Sequence, residues 1–199
     1  MARVGVFGGT FDPPHLGHMI LAAEAADQLA LDTVLWMAAP LPPHKADRAT
    51  TPFQQRTELV RAAISGEPRF EVSTIENERP GPHYTADTLE ILRAKYSGDE
   101  LFCLIGQDSL NDLFGWYEPD RIVAAIDGLG VMARPGERSE TDALFARFPA
   151  LAEKLLPVDA PLLEISSTEI RARVRAGRHY RYYVRDCVAA RIEEWRLYR

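Results

Sequence analysis

Two histidines three residues apart follow a glycine-rich stretch near the start of the sequence, in FGGTFDPPHLGHM, residues 7–19. Gly8 and Gly9 stand where a strand would give way to a helix, and glycines there let backbone N–H groups approach a phosphate. A helix beginning beside His15 offers positive potential at its N-terminus, and His18 lies on the same side roughly one turn further on. Both imidazoles could donate hydrogen bonds to that phosphate. The pattern therefore favours phosphate chemistry.

Other interpretations of this stretch stay open. A His-x-x-His pair can bind zinc, but no third ligand is near in sequence, and the pair alone is a weak signal. The histidines can also be purely structural. The stretch is not a Walker phosphate loop, because it lacks the G-K-[ST] ending. The nearest match to the dinucleotide fingerprint, at Gly128, Gly130 and Ala133, does not follow a strand and open a helix, so that interpretation is rejected.

The elements that must position the histidines alternate between strand-like and helix-like patterns. Strands are predicted at residues 3–7, 33–39, 69–75, 100–106 and 128–134, with a candidate last strand at 162–165. Helices are predicted at 16–30, from about 51, at 85–96 and at 120–126, and two more after 165. Thr51 and Gln54 suggest a capping box with Pro52 at the first helical position, and Thr85 is a candidate cap. This alternation predicts an α/β fold with a doubly wound parallel sheet.

Parallel sheets of this kind bind ligands at the carboxyl ends of their strands, near the point where strand order reverses. The histidine motif follows the first strand, PPHK (42–45) follows the second, and GQDS (106–109) follows the fourth. We therefore expect these three stretches to converge on one crevice. Residues 137–161 break the alternation, contain three prolines and a helical patch, and receive no role.

Composition narrows the class of protein. The 199 residues carry a net charge of −6, with 46% hydrophobic and 26% charged residues, as in ordinary globular proteins. A basic stripe at 171–185 is interpreted mainly as a solvated helix face, with RNA binding as the less favoured alternative. Cys103 and Cys187 have no metal-site spacing and are predicted to be buried. The longest near-apolar run, at 34–43, falls far below the ~20 residues of a membrane helix, and no signal peptide is recognised, so a cytoplasmic location is expected.

Two motifs together resemble those of a known superfamily. GGTFDPPHLGH, residues 8–18, resembles the H-x-G-H signature of the nucleotidylyltransferases, and ISSTEIR, 165–171, resembles their second signature. The second motif also makes sense by itself, because serines and threonine can cap a helix whose N–H groups and Arg171 then bind phosphate oxygens. Alone, SSTE would be an ordinary capping box.

The middle of the chain resembles the bacterial nicotinate-nucleotide adenylyltransferases in particular. PPHK, YTADTL, IGQDSL, WYE and ARPG follow one another in the order and spacing of that family, and the resemblance runs from Arg3 to the final LYR. It implies a Rossmann-like nucleotidylyltransferase fold with a helical C-terminal portion, as one domain over residues 1–199. It also implies transfer of the adenylyl group of ATP to nicotinate mononucleotide, a step of NAD biosynthesis that releases pyrophosphate.

The resemblance also assigns roles to residues. His15 and His18 are the catalytic pair, with His18 at the α-phosphate. ATP is expected to contact Gly8, Gly9, Thr10, Phe11, Gly106, Asp108, Ser166, Ser167, Thr168 and Arg171. Nicotinate mononucleotide is expected to contact Lys45, Thr85, Trp116, Tyr117 and Arg134. Trp116 would stack on the pyridine ring, while Thr85 and backbone N–H groups near Tyr117 would take the carboxylate. Arg171 is expected to touch only triphosphate oxygens.

No dedicated carboxylate cage for a metal is evident in the sequence, so Mg²⁺ is expected to arrive with ATP. No nucleic acid or membrane partner is expected, and the oligomeric state is left open. Three alternatives remain: a sister enzyme such as phosphopantetheine adenylyltransferase, a nucleotide-binding module without turnover, and a structural or RNA-binding protein. The YTADTL and WYE motifs argue against the first, and the intact histidine pair with Arg171 argues against the second.

Overall fold

The computed structural model of the protein describes residues 1–40, 50–132, 141–161 and 163–199. The strands are β1 (Arg3–Gly9), β2 (Thr33–Ala38), β3 (Phe70–Val72), β4 (Glu100–Gly106), β5 (Gly128–Met132) and β6 (Leu155–Val158). The α-helices are α1 (Leu16–Gln28), α2 (Phe53–Ile64), α3 (Thr85–Lys95), α4 (Gln107–Asn111), α5 (Pro119–Ala125), α6 (Thr141–Arg147), α7 (Leu151–Lys154), α8 (Ser167–Arg175) and α9 (Asp186–Glu194). Within these described ranges, three 3₁₀ turns lie at Ile75–Glu78, Leu113–Gly115 and Arg181–Tyr183.

All six strands form one parallel sheet in the order β3-β2-β1-β4-β5-β6. This confirms the predicted doubly wound α/β architecture. The strand order reverses between β1 and β4, which are neighbours in the sheet. Because ligands of such sheets bind outside the carboxyl ends of the strands at this reversal, the histidine motif after β1 stands at the expected place.

The two faces of the sheet are covered by separate apolar clusters. In β1, Val4 and Val6 point to one face and Phe7 to the other, as the alternation of side chains along a strand requires. The face that carries Phe7 is covered by α1, α2 and α9, and the opposite face by α3 and α5. Burial on both faces explains why the strands read as nearly continuous apolar runs.

The sixth strand is not where the sequence placed it. Residues 163–165 are not in a strand, and β6 lies instead within the 137–161 segment, pairing Met132 with Val158. The strand contains Pro157 and forms an edge of the sheet, which is where a proline is tolerated because it has no N–H to donate. Because proline is uncommon within strands, the sequence pattern did not predict a strand there.

Other local predictions also need correction. The capping box of Thr51 and Gln54 does not form, because α2 begins at Phe53 and is preceded by Pro52. Thr85 is the first residue of α3 and not its cap. Cys103 is buried as predicted, but Cys187 is only half-buried and donates its thiol to the Ala62 carbonyl at 2.9 Å.

Part of the basic stripe is engaged within the chain. Arg173 pairs with Glu169 at 2.9 Å, and Arg181 pairs with Glu193 at 2.7 Å. Arg175 and Arg178 are exposed, as a solvated face requires. Across the described ranges, no helix is both long and apolar enough to cross a membrane.

Candidate active site

The two histidines of the first motif form a stacked pair where β1 gives way to α1. His15 is the N-cap of α1 with extended backbone (φ −140°, ψ 171°), and His18 lies in the first turn. Their ring centroids are 3.6 Å apart with the planes inclined by 28°. The backbone N–H of His15 donates to Nδ1 of His18 at 3.2 Å. An acceptor Nδ1 fixes the neutral tautomer with its proton on Nε2, which makes His18 a hydrogen-bond donor at that atom.

Both imidazoles are neutral at pH 7 in this structure. Burial lowers the pKa of His15 from 6.5 to about 4. Burial, and then repulsion from His15, lowers the pKa of His18 well below its ordinary value. A bound anion would favour the charged form and raise both pKa values.

This depressed pKa predicts a pH dependence of stability. Between pH 6.5 and 4 the unfolded chain holds a proton on His15 that the folded protein does not, so stability falls as pH decreases through this window. This difference between the pKa values of His15 in the unfolded and folded states corresponds to a loss of stability of at most about 3 kcal/mol. We expect His15→Asn to lose clearly less stability between pH 7 and 4.5 in urea unfolding. His179→Asn, at an exposed position, serves as the control; identical pH profiles for parent and His15→Asn would contradict this prediction.

Gly17 makes room for the first ring. A Cβ atom at this position would lie 3.1 Å from Nδ1 of His15, a closer approach than side chains normally accept. The imidazole therefore rests against the first turn of α1, and the glycine between the histidines has a steric reason.

The proposed phosphate cradle is divided between open and buried residues. Gly8 is exposed with open space at its Cβ position, whereas a Cβ at Gly9 would lie 2.9 Å from the Phe11 ring. Phe11 is 1% exposed and has a left-handed backbone (φ 47°). Its ring packs edge-on against His18, with centroids 5.0 Å apart. The Phe11 side chain therefore packs under the His18 ring and supports it. The backbone carbonyl of Thr10 accepts a hydrogen bond from Arg56 at 2.7 Å.

The second motif contacts the first directly. Ser166 caps α8 by accepting from the backbone N–H of Glu169 at 3.1 Å, as predicted. The Ser167 hydroxyl donates to the Pro13 carbonyl at 2.8 Å, and Arg171 donates to the Asp12 carbonyl at 2.8 Å. The structure therefore brings together two motifs separated by about 150 residues in sequence.

The contacts of Arg171 correct one expectation. Besides the Asp12 carbonyl, its guanidinium reaches the Thr168 hydroxyl at 3.3 Å. The expectation that this arginine touches only triphosphate oxygens is therefore wrong. A guanidinium has five N–H donors, so these two contacts leave others for a ligand.

The carboxyl end of β4 supplies the next part of the crevice. Gly106 caps α4 with open space at its Cβ position, and Asp108 is exposed in the first turn of that helix. Gly106 is the last residue of β4, the strand that pairs with β1 at the strand-order reversal, and Asp108 follows it in α4. Of the three stretches predicted to converge, those after the first and fourth strands follow neighbouring strands of the sheet, whereas PPHK (42–45) lies outside the described residues.

The predicted acceptor residues Thr85, Trp116 and Tyr117 are brought near one another by an aromatic contact. The rings of Tyr84 and Tyr117 stack with centroids 4.0 Å apart and planes inclined by 18°. Because Thr85 follows Tyr84, this stack places the start of α3 beside the 116–117 segment. Trp116 is half-buried against the core, and its backbone N–H already donates to the Leu113 carbonyl at 3.1 Å. The backbone N–H of Trp116 is therefore already engaged within the chain.

The two carboxylates nearest this acceptor region are held by one arginine. Arg121 donates to Asp87 at 2.9 Å and also forms a close ion pair with Glu118. The same guanidinium pairs with Glu90 at 2.6 Å. These carboxylates are therefore already engaged within the chain by one guanidinium. The remaining predicted acceptor residues, Lys45 and Arg134, lie outside the described residues.

Three polar residues behind the site were given no role from the sequence: Asp12 and Arg56, which are buried, and Tyr198, which is half-buried. Arg56 is 1% exposed and donates to four backbone carbonyls, those of Thr10, Ala39, Pro40 and Thr51. Burial lowers the pKa of its guanidinium, while the charge of Asp12 opposes that change. An arginine on the apolar face of α2, in line with Val60 and Ala63, was a usable signal, because charged residues are rarely buried unless paired.

The donor set of the site suits an anion better than a metal. Among the described residues, no group of three or more His, Cys, Asp or Glu side chains is arranged to hold a metal ion. The side chains that meet at the end of β1 are imidazoles and a guanidinium, whereas Mg²⁺ prefers oxygen ligands.

The sequence and the fold are both similar to those of known proteins. The family model "Cytidylyltransferase-like" matches residues 6–173. "Probable nicotinate-nucleotide adenylyltransferase" of Thermomicrobium roseum is 45% identical over 199 residues, covering 100% of this chain and 92% of that protein. The protein of the same name from Thermus thermophilus is 42% identical over 197 residues, covering 99% and 100%. The solved structure of Plasmodium falciparum nicotinic acid mononucleotide adenylyltransferase complexed with NaAD has a TM-score of 0.82 at 18% identity, covering 100% and 98%.

The strand order, the helix-capping histidine pair and the family match define this chain as a nucleotidyltransferase of the cytidylyltransferase-like family. Its full-length identity to the curated relatives places it more narrowly. The chain belongs to the nicotinate-nucleotide adenylyltransferases.

Proposed function

We propose that this enzyme transfers the adenylyl group of ATP to nicotinate mononucleotide, giving nicotinate adenine dinucleotide and pyrophosphate in NAD biosynthesis. The observation that carries the proposal is the contact between the two motifs, with Arg171 and Ser167 bonded to the loop that precedes the histidines. That contact makes one anion-binding surface from two helix N-termini. Residues 1–199 are assigned to a single domain, since α9 lies beyond the family match but adds Val188, Ala189 and Ile192 to the same apolar cluster.

The reaction is assigned as an in-line attack of the mononucleotide phosphate on the α-phosphorus of ATP, without a covalent enzyme intermediate. Rate enhancement then comes from positioning and from donors aimed at the developing charge. His18 supplies Nε2–H at the α-phosphate, and His15 supports it as its stacked neighbour. Gly8 and Gly9 offer backbone N–H groups, and Phe11 holds the His18 ring from below.

The other ligand contacts follow from the strand ends. Gly106 and Asp108 are assigned to the ribose of ATP. Ser167, Thr168 and Arg171 are assigned to the leaving pyrophosphate, with Ser166 as the cap that presents the helix N-terminus. Lys45 and Arg134 are assigned to the acceptor phosphate on the resemblance alone. Trp116 is assigned to the pyridine ring. Mg²⁺ would arrive with ATP and would supply charge neutralisation there, because the imidazoles and the guanidinium of the site are nitrogen donors, whereas Mg²⁺ prefers oxygen ligands.

Replacing Arg171 with alanine tests the second motif. We expect ATP binding to weaken by roughly 10-fold or more, since charge-assisted hydrogen bonds to phosphate and the contact to the Asp12 carbonyl are both lost. Binding of nicotinate mononucleotide should stay nearly intact. Calorimetry with each ligand measures this, and Arg175→Ala, one turn along α8 and exposed, is the matched control. Equal losses for both ligands would show that Arg171 is structural.

A further inference from the structure

The carboxylate of Asp12 is buried behind the histidine motif and accepts hydrogen bonds from distant segments of the chain. Asp12 is 3% exposed, and each of its carboxylate oxygens accepts a hydrogen bond. The Tyr198 hydroxyl donates to Oδ1 at 2.8 Å, and the backbone N–H of Thr51 lies 3.3 Å from Oδ2. Its backbone carbonyl accepts from Arg171. One residue thus connects the loop after β1 with the start of α2, with α8 and with the segment after α9.

The backbone conformation after α9 places Tyr198 beside Asp12. Arg196 and Tyr198 both have left-handed backbone conformations, with φ of 51° and 64°. Non-glycine residues adopt this region at a cost and hold it only where surrounding contacts determine it. The backbone N–H of Leu197 donates to the Ile192 carbonyl at 3.0 Å, which turns the chain back over α9.

The Tyr198 hydroxyl stays protonated and remains a donor. Burial first, and then the charge of Asp12, raise the pKa of Tyr198 above its ordinary value. A hydrogen bond from a neutral hydroxyl to a buried carboxylate is one of the stronger kinds in proteins. Without it, Asp12 would keep a buried oxygen unpaired, which is costly.

The position of Asp12 in the loop makes this bond relevant to the reaction. Asp12 stands three residues before His15 and directly after Phe11, whose ring supports His18. A shift of its side chain would move the loop on which the histidine pair and the Arg171 contact both depend. Displacements of about 1 Å in a reactive arrangement can lower rates by about 10²-fold.

We propose that Tyr198 is a positioning residue for adenylyl transfer, which holds the histidine loop and Arg171 in register through its hydrogen bond to the Asp12 carboxylate. This inference rests on the proposed function for its kinetic consequence. Its structural consequence, an altered environment of the two histidine rings, does not depend on which acceptor the enzyme uses.

The test is Tyr198→Phe, which removes a single oxygen and leaves the ring in place. We expect kcat to fall on the order of 10-fold, while KM for nicotinate mononucleotide changes less than about 2-fold. In NMR spectra of the free protein, the imidazole signals of His15 and His18 should shift, and that of the exposed His179 should not. Tyr182→Phe, at a position 90% exposed, is the matched control and should behave as the parent.

A double-mutant cycle shows whether Tyr198 acts through Asp12. If it does, Asp12→Ala with Tyr198→Phe should be no slower than Asp12→Ala alone. Additive losses would overturn the proposal. Parental kcat with unshifted histidine signals in Tyr198→Phe would also overturn it, as would a lower melting temperature with kcat unchanged. If Asp12→Ala does not fold, the kinetics and spectra of Tyr198→Phe still decide.

A failure of the proposed function and a failure of the positioning role of Tyr198 give different experimental results. If the parent enzyme does not adenylylate nicotinate mononucleotide, the proposed function fails, but the NMR comparison on the free protein still reports whether Tyr198 positions the histidines. If the parent is active and Tyr198→Phe is indistinguishable from it, only the positioning role is lost.

Discussion

Replacing His18 with alanine is expected to lower kcat by roughly 10²–10³-fold, with a much smaller effect on ATP binding. The reason lies in the tautomer that the structure fixes. Nδ1 of His18 accepts from the His15 backbone, so Nε2–H is the atom that can donate to the α-phosphate as its charge reorganises. Such a donor acts mainly on the transition state, and its loss therefore appears in kcat.

The measurement for His18 is steady-state kinetics beside ATP binding by calorimetry. His179→Ala removes an exposed imidazole and should leave both quantities unchanged. Because His18 packs against Phe11, the melting temperature of each variant must be recorded to separate misfolding from lost chemistry. A well-folded His18→Ala with near-normal kcat would refute the assigned role.

The second large effect is a preference for the acid over the amide mononucleotide by on the order of 10²-fold or more in kcat/KM. The two ligands differ only in a carboxylate against a carboxamide. The region around Thr85 and Tyr117 offers donors, and the nearby acceptors Asp87 and Glu118 are already held by Arg121. A carboxylate accepts charge-assisted hydrogen bonds there. The amide would turn its NH₂ toward donors and leave polar groups unpaired, at about 1–3 kcal/mol each.

Two variants separate recognition of the substituent from recognition of the ring. Thr85→Val should reduce the acid preference, whereas Trp116→Ala should harm both mononucleotides alike, because stacking does not distinguish the substituent. Thr141→Val is the matched control, since Thr141 also begins a helix but on a different part of the chain. Equal kcat/KM for acid and amide in the parent would overturn the proposed carboxylate recognition while leaving adenylyl transfer standing.

The sequence predicted the parts of the fold that local patterns specify. The buried strands and intervening helices gave the parallel sheet, and the position of the histidine motif after β1 gave the crevice. Ser166, Ser167 and Thr168 were the candidate caps from residue type, and Ser166 is the cap. These features depend on residues within a few positions of one another, which is where periodicity and capping rules apply.

What the sequence did not predict depends on distant partners. The bond between Asp12 and Tyr198 joins residues 186 positions apart, and nothing in the histidine motif or in the final LYR indicates that the two are partners. Arg56 is recognisable only by its polar character on an apolar helix face. The β6 strand was hidden by Pro157, and the error at Thr51 arose because its backbone is engaged by Asp12 and Arg56. In each case the observed structure depends on contacts between residues that are distant in sequence, and local sequence preferences do not report these contacts.

The central claim is adenylyl transfer to nicotinate mononucleotide, and the most direct test is pyrophosphate release from ATP with different acceptors. Purified enzyme is given ATP and Mg²⁺ with nicotinate mononucleotide, nicotinamide mononucleotide or phosphopantetheine in separate reactions. We predict rapid release with nicotinate mononucleotide, much slower release with the amide, and none with phosphopantetheine. Release that depends on phosphopantetheine, or no release with nicotinate mononucleotide, would contradict the account.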